Sequence, residues 1–354
     1  MNNHPASITI GKSVIGTGHP PFIIVEMSGN HNQSLDRALE IVDAAAVAGA
    51  HAIKLQTYTA DTITLDIRVN EFAINDPESL WNGKNLYQLY KEAHTPWKWH
   101  KPIFERCHKA GICCFSSPFD ASAVDLLESL DAPAYKIASF EIVDLPLIRR
   151  AAVTGKPLFM STGMATVAEI DEAIRAARGA GCKELVLLKC TSSYPASPAM
   201  INLNTIPDMR SRFGVEVGLS DHTMGIGTAV AAVAHGAVAI EKHFTLSRKD
   251  GGVDSAFSCE PDELKTLIVE TKNAWLAMGG VKYGPSDEDV SSLVYRRSLY
   301  AVKDIRAGEQ LTIENVRSIR PGKGLSPKFY DEILGRKVNR DVSRGTPLDW
   351  DMIK

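Results

Sequence analysis

Two short stretches hold the residues best suited to chemistry: Gly218-Leu219-Ser220-Asp221-His222 and Ile240-Glu241-Lys242-His243. Imidazole is the commonest protein ligand for a metal ion, and a catalytic site needs only a few protein ligands if substrate is to take the rest. His222 and His243, beside Asp221 and Glu241, therefore suit a divalent metal with open positions. Each closes an apolar run of strand length, VEVGLSD (215–221) and AVAIEKHF (237–244), and a small-residue helix is expected over Gly225–His235. A β-α-β unit crosses over right-handed, which makes its strands parallel and neighbouring. Both imidazoles then emerge from the C-terminal edge of one sheet, where α/β proteins hold ligands. A lone histidine in an apolar strand is usually a satisfied core residue; two at matching ends of consecutive units form the pattern of a site.

Six further apolar runs also end in polar residues: FIIVE (22–26), AIKLQT (52–57), CCFSS (113–117), AYKIAS (134–139), PLFMST (157–162) and LVLLKCT (185–191). With the loops that follow, they bring Glu26, Lys54, Gln56, Ser117, Lys136, Ser139, Glu141, Ser161, Ser192 and Tyr194 to the edge that carries Ser220 and the histidines. Ammonium and hydroxyl groups in a dry pocket satisfy the oxygens of phosphate and carboxylate, so Lys54 and Lys136 suit an anion bearing both. The carboxylates of Glu26 and Glu141 suit proton transfer or the orientation of water. The bland alternative for a strand-end lysine is a stem that snorkels to solvent, and Lys189 and Lys242 divide evenly between the two readings. His31 suits either a turn or a substrate contact, whereas His51, His94, His100, His108 and His235 read as structural. No Walker A loop or dinucleotide fingerprint is present.

Eight near-continuous apolar runs are what a parallel sheet buried on both faces requires. Spread over roughly 250 residues and alternating with helices, they fit a (β/α)8 TIM barrel, an α/β fold; a doubly wound open sheet is the alternative. Helix signals support the alternation: Ser34 caps Leu35–Ala48 before Gly49, and Thr166 precedes Val167–Arg178 before Gly179. The insertion at 58–112 carries LWNGKNLYQLYKEAHTPWKWH, expected to form two helices near the mouth. The barrel is assigned to 1–281, a linker to 282–294 (KYGPSDEDVSSLV) and a small β-rich domain to 295–354. In that tail AVKDIRAGEQLTIENV (301–316) matches VNRDVSRGTPLDWDMI (338–353), with Asp304/Asp341, Gly308/Gly345, Leu311/Leu348 and Val316/Ile353 at one offset of 37. This is the signature of an internal duplication.

The 354 residues carry a net charge of −3, which argues against nucleic acid as the main partner. Residues 291–354 hold 13 Lys/Arg against 8 Asp/Glu, so that tail is +5 on an acidic remainder, a balance that could attract an anion. The N-terminal MNNHPASITI lacks the pattern of a signal peptide, and the run Ala229–Ile240 is too short for a membrane span. Six cysteines without CxxC spacing read as thiols in a reducing compartment, so the expected location is cytoplasmic.

Taken together, FIIVEMSGNHNQSL, AIKLQTY, CFSSPF, YKIASFE, STGMAT, KCTSSYP, GLSDHT and EKHFT, followed by SIRPGKGL, resemble the sialic acid synthase family. The resemblance covers nearly the whole chain. It implies a (β/α)8 barrel followed by a domain similar to type III antifreeze protein. It also implies an enzyme that condenses phosphoenolpyruvate with an N-acetylated amino sugar, giving a nine-carbon acid and phosphate. AIKLQTYTADTITL, the aromatic insertion and RRSLYAVKDIRAGE are similar to the branch that uses 2,4-diacetamido-2,4,6-trideoxy-L-altrose, with branches using an N-acetylmannosamine-type sugar as the rivals. By motif position, the resemblance makes His222 and His243 ligands of manganese or a similar divalent ion such as magnesium or cobalt. It assigns Lys54, Ser117, Lys136, Ser139, Ser161 and Ser220 to phosphoenolpyruvate. Glu26, Gln56, Glu141, Tyr194 and Asp254 fall around the sugar and the reacting water, together with Ser192, where many relatives have asparagine. Arg320 corresponds to an arginine that enters the partner subunit's active site, which implies a homodimer.

Two other classes stay open on the residues alone. A Schiff-base aldolase or lyase would use Lys54, Lys136 or Lys189 as nucleophile. A non-enzymatic sugar- or ice-binding protein is the third class, and polar residues at so many strand ends weigh against it.

Overall fold

The computed structural model describes residues 7–77 and 79–354. The first six residues, which form part of the segment read for a targeting signal, lie outside the described residues. A hairpin of β1 (Ile8–Ile10) and β2 (Ser13–Ile15) precedes eight strands: β3 (Phe22–Glu26), β4 (Ala52–Thr57), β5 (Cys113–Pro118), β6 (Tyr135–Ile137), β7 (Leu158–Ser161), β8 (Leu185–Cys190), β9 (Glu216–Asp221) and β10 (Ala239–His243). Each pairs in parallel with the next and β10 returns to β3, closing the barrel. Every apolar run identified above is a strand of this ring, and closure excludes the open doubly wound sheet.

The helices are α1 (Leu35–Ala48), α2 (Ala60–Ile63), α3 (Leu86–Ala93), α4 (Trp97–Ala110), α5 (Ala121–Ser129), α6 (Leu145–Ala152), α7 (Val167–Gly179), α8 (Thr205–Phe213), α9 (Gly227–Ala234), α10 (Pro261–Met278) and, near the C-terminus, α11 (Tyr330–Ile333). Ser34 accepts the Arg37 amide, and Gly49, at φ 97°, ends α1 in the left-handed conformation that glycine adopts most readily. Thr166 and Glu169 form a capping box on α7, which includes Gly179 rather than stopping before it. The expected helix between the two histidine motifs is shorter than Gly225–His235, starting only at Gly227. The aromatic insertion does form two helices, but α4 packs on α1 and β5 as one of the barrel's own helices. The additions to the barrel's own elements are α2, α3 and the turns between them, including the one around Trp81.

Side chains alternate across each strand, and this divides the barrel into two cores. Outward residues pack with the helices: Ile23, Ile53, Tyr135, Leu187 and Ile240 belong to the large cluster between the layers. Inward residues fill the lumen in two levels. The lower level is apolar, with Phe22, Ile24, Ala52, Phe115, Phe159, Val186, Leu188 and Ala239, and the β1–β2 hairpin adds Ile8, Ile10 and Ile15 to it. One residue pair further along each strand, the same face turns polar. A dry floor thus lies beneath a charged chamber.

The chain divides into two compact units, Met1–Gly279 and Gly280–Lys354. A 3-10 turn, Val290–Tyr295, overlaps the end of the segment assigned as the linker. In the second unit only β11 (Ser298–Ala301) and β12 (Val316–Ile319) are regular strands, paired antiparallel, and isolated bridges complete it. The duplicated residues occupy equivalent places. Asp304 accepts the Arg344 amide while Asp341 accepts the Ala307 amide, both at 2.8 Å. Gly308 and Gly345 turn at φ 86° and 88°, and Leu311 and Leu348 are both fully buried. All six cysteines are free, and no helix among the described residues is long and apolar enough to cross a membrane.

Gly218 faces the lumen where there is no room for a side chain: a Cβ would strike the Ala239 carbonyl and lie 2.8 Å from Leu188 Cδ2. Gly218→Ala is therefore expected to destabilise the barrel by about 1–3 kcal/mol through overpacking, measured by denaturant unfolding; wild-type stability would contradict it.

Candidate active site

The polar level of the lumen is built around four buried charges. Lys54 on β4 ion-pairs with Glu26 on the adjacent β3 and lies 3.8 Å from Glu241. Lys136 on β6 donates to both Glu241 oxygens, at 3.1 and 3.2 Å. Since β6 and β10 stand on opposite sides of the ring, this pair spans the lumen. Ser220 donates to Glu241 at 2.9 Å, and Lys54 donates to Ser117 at 3.3 Å. Isolated charges buried this deeply would be prohibitive, and each is compensated by the others.

Their proton affinities diverge accordingly. Burial raises the pKa of Glu26, and Lys54 only partly opposes it. Burial acts on Glu241 in the same direction but is outweighed by Lys136 and Lys54, which hold it well below the usual carboxylate range. Burial lowers Lys136 despite Glu241, whereas for Lys54 it is outweighed by Glu241 and Glu26, leaving that pKa raised.

Above this floor stand the two imidazoles, their ring centres 5.3 Å apart. His222 Nδ1 lies 3.0 Å from the Thr191 carbonyl. A carbonyl only accepts, so Nδ1 carries the proton and Nε2 keeps its lone pair. His243 Nδ1 is buried without a hydrogen-bond partner, 3.6 Å from Asp254 Oδ2. Burial, then the neighbouring His222, pushes the His243 pKa well below its ordinary value, so that ring is neutral. Burial also disfavours protonated His222, but the Cys190 thiol and the Thr191 carbonyl outweigh it and raise its pKa. Available lone pairs on two neighbouring rings fit a divalent ion, whose charge would favour the neutral form of both. Among the described residues no three His, Cys, Asp or Glu side chains are placed to share an ion, so such an ion would take its remaining ligands from substrate or water.

The other expected residues gather here too. Ser139 accepts the Gly163 amide at 3.1 Å, and the Ser161 hydroxyl is buried and unpartnered. Glu141 follows Ser139 in a 3-10 turn, with one buried carboxylate oxygen unpaired and a pKa pushed up to about 7 by burial. Tyr194 packs 4.6 Å from the His222 ring, and Ser192 Oγ lies 3.9 Å from Cys190 Sγ. Gln56 donates to Ser28, which in turn donates to Asp254. Arg320, exposed after β12, belongs to the second unit.

Several sequence readings need correction. Asp221 does not face the chamber beside the two imidazoles: it points outward and pairs with Lys242 at 2.8 Å. Lys242 is thus outside the lumen, as is Lys189, which donates to the Cys190 carbonyl and Thr191. That leaves no Schiff-base role for Lys189 in the chamber. Of the two readings of His31 the turn is the one its contacts fit: its ring nitrogens meet the Gln33 amide and the hydroxyl of Thr95 in the insertion. Sequence reasoning did not single out Ser28, Trp81 or Phe257, and it placed Glu241 beside a metal instead of between the lysines. Phe257 packs 5.0 Å from His243, and Trp81 packs 5.8 Å from Tyr194, extending the aromatic wall outward. Only Glu241 had a usable signal, its two-residue spacing from His243 on one strand face.

The sequence profile described as the NeuB family matches residues 41–283, and that of the SAF domain matches 296–354. The pseudaminic acid synthase of Campylobacter jejuni is 45% identical over 327 residues, covering 92% of this chain and 95% of that protein. The N,N'-diacetyllegionaminic acid synthase of the same species is 36% identical, covering 90% and 96%. Among solved structures, the N-acetylneuraminic acid synthetase of Leptospira borgpetersenii, in complex with citrate, superposes with a TM-score of 0.73 at 33% identity, covering 84% of this chain and 98% of that one.

The raised pKa of Glu141 bears on stability. A carboxyl that titrates at about 7 when folded, against an ordinary value of 4.5, binds its proton more tightly in the native state. It contributes stability fully below the lower value, and that contribution is lost as pH rises through the higher one. Between those two pH values the wild type should lose stability relative to Glu141→Gln, measured by urea unfolding across the range; parallel curves would contradict this.

Proposed function

The chain belongs to the NeuB family, and we propose that its reaction is that of a pseudaminic acid synthase: phosphoenolpyruvate, 2,4-diacetamido-2,4,6-trideoxy-L-altrose and water give pseudaminic acid and phosphate. The observation that carries this reading is the higher identity to the pseudaminic than to the legionaminic enzyme of one species. The lumen supports it chemically. Two lysines and a set of hydroxyls lie deep, where a small anion with phosphate and carboxylate groups would be desolvated. Two imidazoles and an aromatic wall lie above, where a second substrate would meet it.

In this reading Lys54 and Lys136 exchange their carboxylate partners for the oxygens of phosphoenolpyruvate, with Ser117, Ser139, Ser161 and Ser220 donating from the walls. Held there, its C3 faces the aldehyde carbon of the open-chain sugar, positioned by Gln56, Ser192, Tyr194 and Asp254. His222 and His243 would hold a divalent ion, manganese or its magnesium or cobalt counterpart, which would supply Lewis acidity toward the aldehyde oxygen. The C3–C1 bond forms as the aldehyde C=O opens to an alkoxide, and cationic character develops at C2. Glu141, titrating at about 7, takes one proton from the water that adds to C2 and passes it to that alkoxide, while Glu26 orients the water. The C2–O bond then breaks as the C2 hydroxyl becomes a carbonyl, and phosphate leaves with the bridging oxygen and the hydroxyl proton.

Arg320 is assigned to the N-acetyl end of the sugar in the partner subunit's barrel, which makes a homodimer the catalytic unit. Six free thiols support a reducing compartment, and we assign the reaction to the cytoplasm.

The test offers the purified chain phosphoenolpyruvate labelled with 18O at the bridging position, with each candidate amino sugar. Phosphate should appear fastest with the diacetamido trideoxy sugar and should retain the label, and its release should stop on treatment with EDTA and in His222→Ala. Preference for an N-acetylmannosamine-type sugar, or label left in the organic product, would overturn the assignment.

A further inference from the structure

The outward residues next to the two imidazoles form an arrangement that the reaction itself does not use. Lys242 precedes His243, and its ammonium donates to Asp221 Oδ2 at 2.8 Å and to the Thr223 carbonyl at 2.6 Å. Asp221 precedes His222, and its Oδ1 accepts the Thr223 amide at 2.9 Å and the Thr223 hydroxyl at 2.8 Å. Asp221 and Thr223 therefore bracket His222, and both are fastened to the side chain beside His243. The His222 carbonyl accepts the Ala196 amide at 3.0 Å, which adds a further restraint on its backbone.

Asp221 and Lys242 are 2% and 3% exposed, and neither points into the chamber. A buried ion pair is often no more stabilising than an apolar pair of the same volume. What this one adds is geometry: it ties the segment that carries one imidazole to the strand that carries the other, and metal ligation tolerates only small errors in ligand position. We propose that Asp221 and Lys242 are positioning residues that set the separation of His222 and His243, and thereby the affinity of the pair for a divalent cation, without touching cation or substrate. The inference rests on the reading of the two imidazoles as metal ligands.

The test titrates the EDTA-stripped full chain with MnCl2 by calorimetry, comparing wild type with the double variant Asp221→Asn/Lys242→Met. The double variant leaves no unpaired buried charge and keeps an acceptor for the Thr223 amide. Like the wild type, it should melt cooperatively without metal, yet it should bind Mn2+ about 10–100-fold more weakly, the usual cost of losing an outer-shell partner. Its turnover should return when Mn2+ is raised well above the new Kd, which a general packing defect would not allow. If the double variant does not fold, Lys242→Arg decides the matter: it keeps the charge balance but displaces the contact, and several-fold weaker Mn2+ binding is expected. A folded variant that binds Mn2+ within about twofold of wild type, or weak binding without rescue by excess Mn2+, overturns the positioning pair alone. A wild type that binds no Mn2+ overturns the metal reading as well.

Discussion

The ion pair that reaches across the barrel from Lys136 to Glu241 is the interaction on which the rest of the chamber depends. It places a cation at the centre of a protein interior, and with Lys54 and Glu26 it does so at no net charge. Neither lysine could stay ionised there alone, and neither carboxylate could. The two carboxylates differ in proton affinity: burial raises that of Glu26, while Lys136 and Lys54 hold that of Glu241 well below the usual carboxylate range. A chamber balanced in this way can receive an anion, because phosphate and carboxylate oxygens can replace carboxylate oxygens at the same ammonium groups. Proton uptake by Glu26 would offset part of the added negative charge.

The barrel makes this possible by separating its levels. Below the charges, Phe115 and Phe159 stack with ring centres 5.5 Å apart, and the N-terminal hairpin adds three isoleucines to the same apolar cluster. Above them, Tyr194 and Phe257 pack against both imidazoles. The low dielectric on both sides strengthens every electrostatic contact between them. The same alternation that sends Glu241 and His243 inward sends Lys242 outward, so one short segment of β10 serves the floor, the imidazole pair and its external tie.

Much of this was legible in the sequence, for physical reasons. Strands buried on both faces must be apolar for most of their length, so the polar residues that end them stand out, and all eight runs are barrel strands. Capping residues such as Ser34 and Thr166 act locally and can be read locally. The duplicated tail was legible because paired turns need the same aspartate and glycine at one spacing. Asp221 misleads because its nearness in sequence to Ser220 and His222 suggests nearness in space, although successive strand residues face opposite sides. Ser28 was invisible for a different reason: its place is fixed by Asp254, 226 residues away, and its φ of 47° is not foreshadowed by its residue type. Trp81 likewise owes its position to the Val253 carbonyl in a distant loop. The branch of the family was recognisable only as resemblance, since no spacing rule identifies a sugar.

In the proposed reaction one lumen holds a divalent cation between two imidazoles and an enol phosphate on two lysines. Anomalous diffraction at the manganese edge, from crystals grown with Mn2+ and phosphoenolpyruvate, tests it most directly. A manganese peak bound by His222 and His243 is expected, with phosphoenolpyruvate against Lys54 and Lys136 below it. Manganese bound elsewhere, or phosphoenolpyruvate outside the chamber while both lysines keep their carboxylate partners, would contradict it.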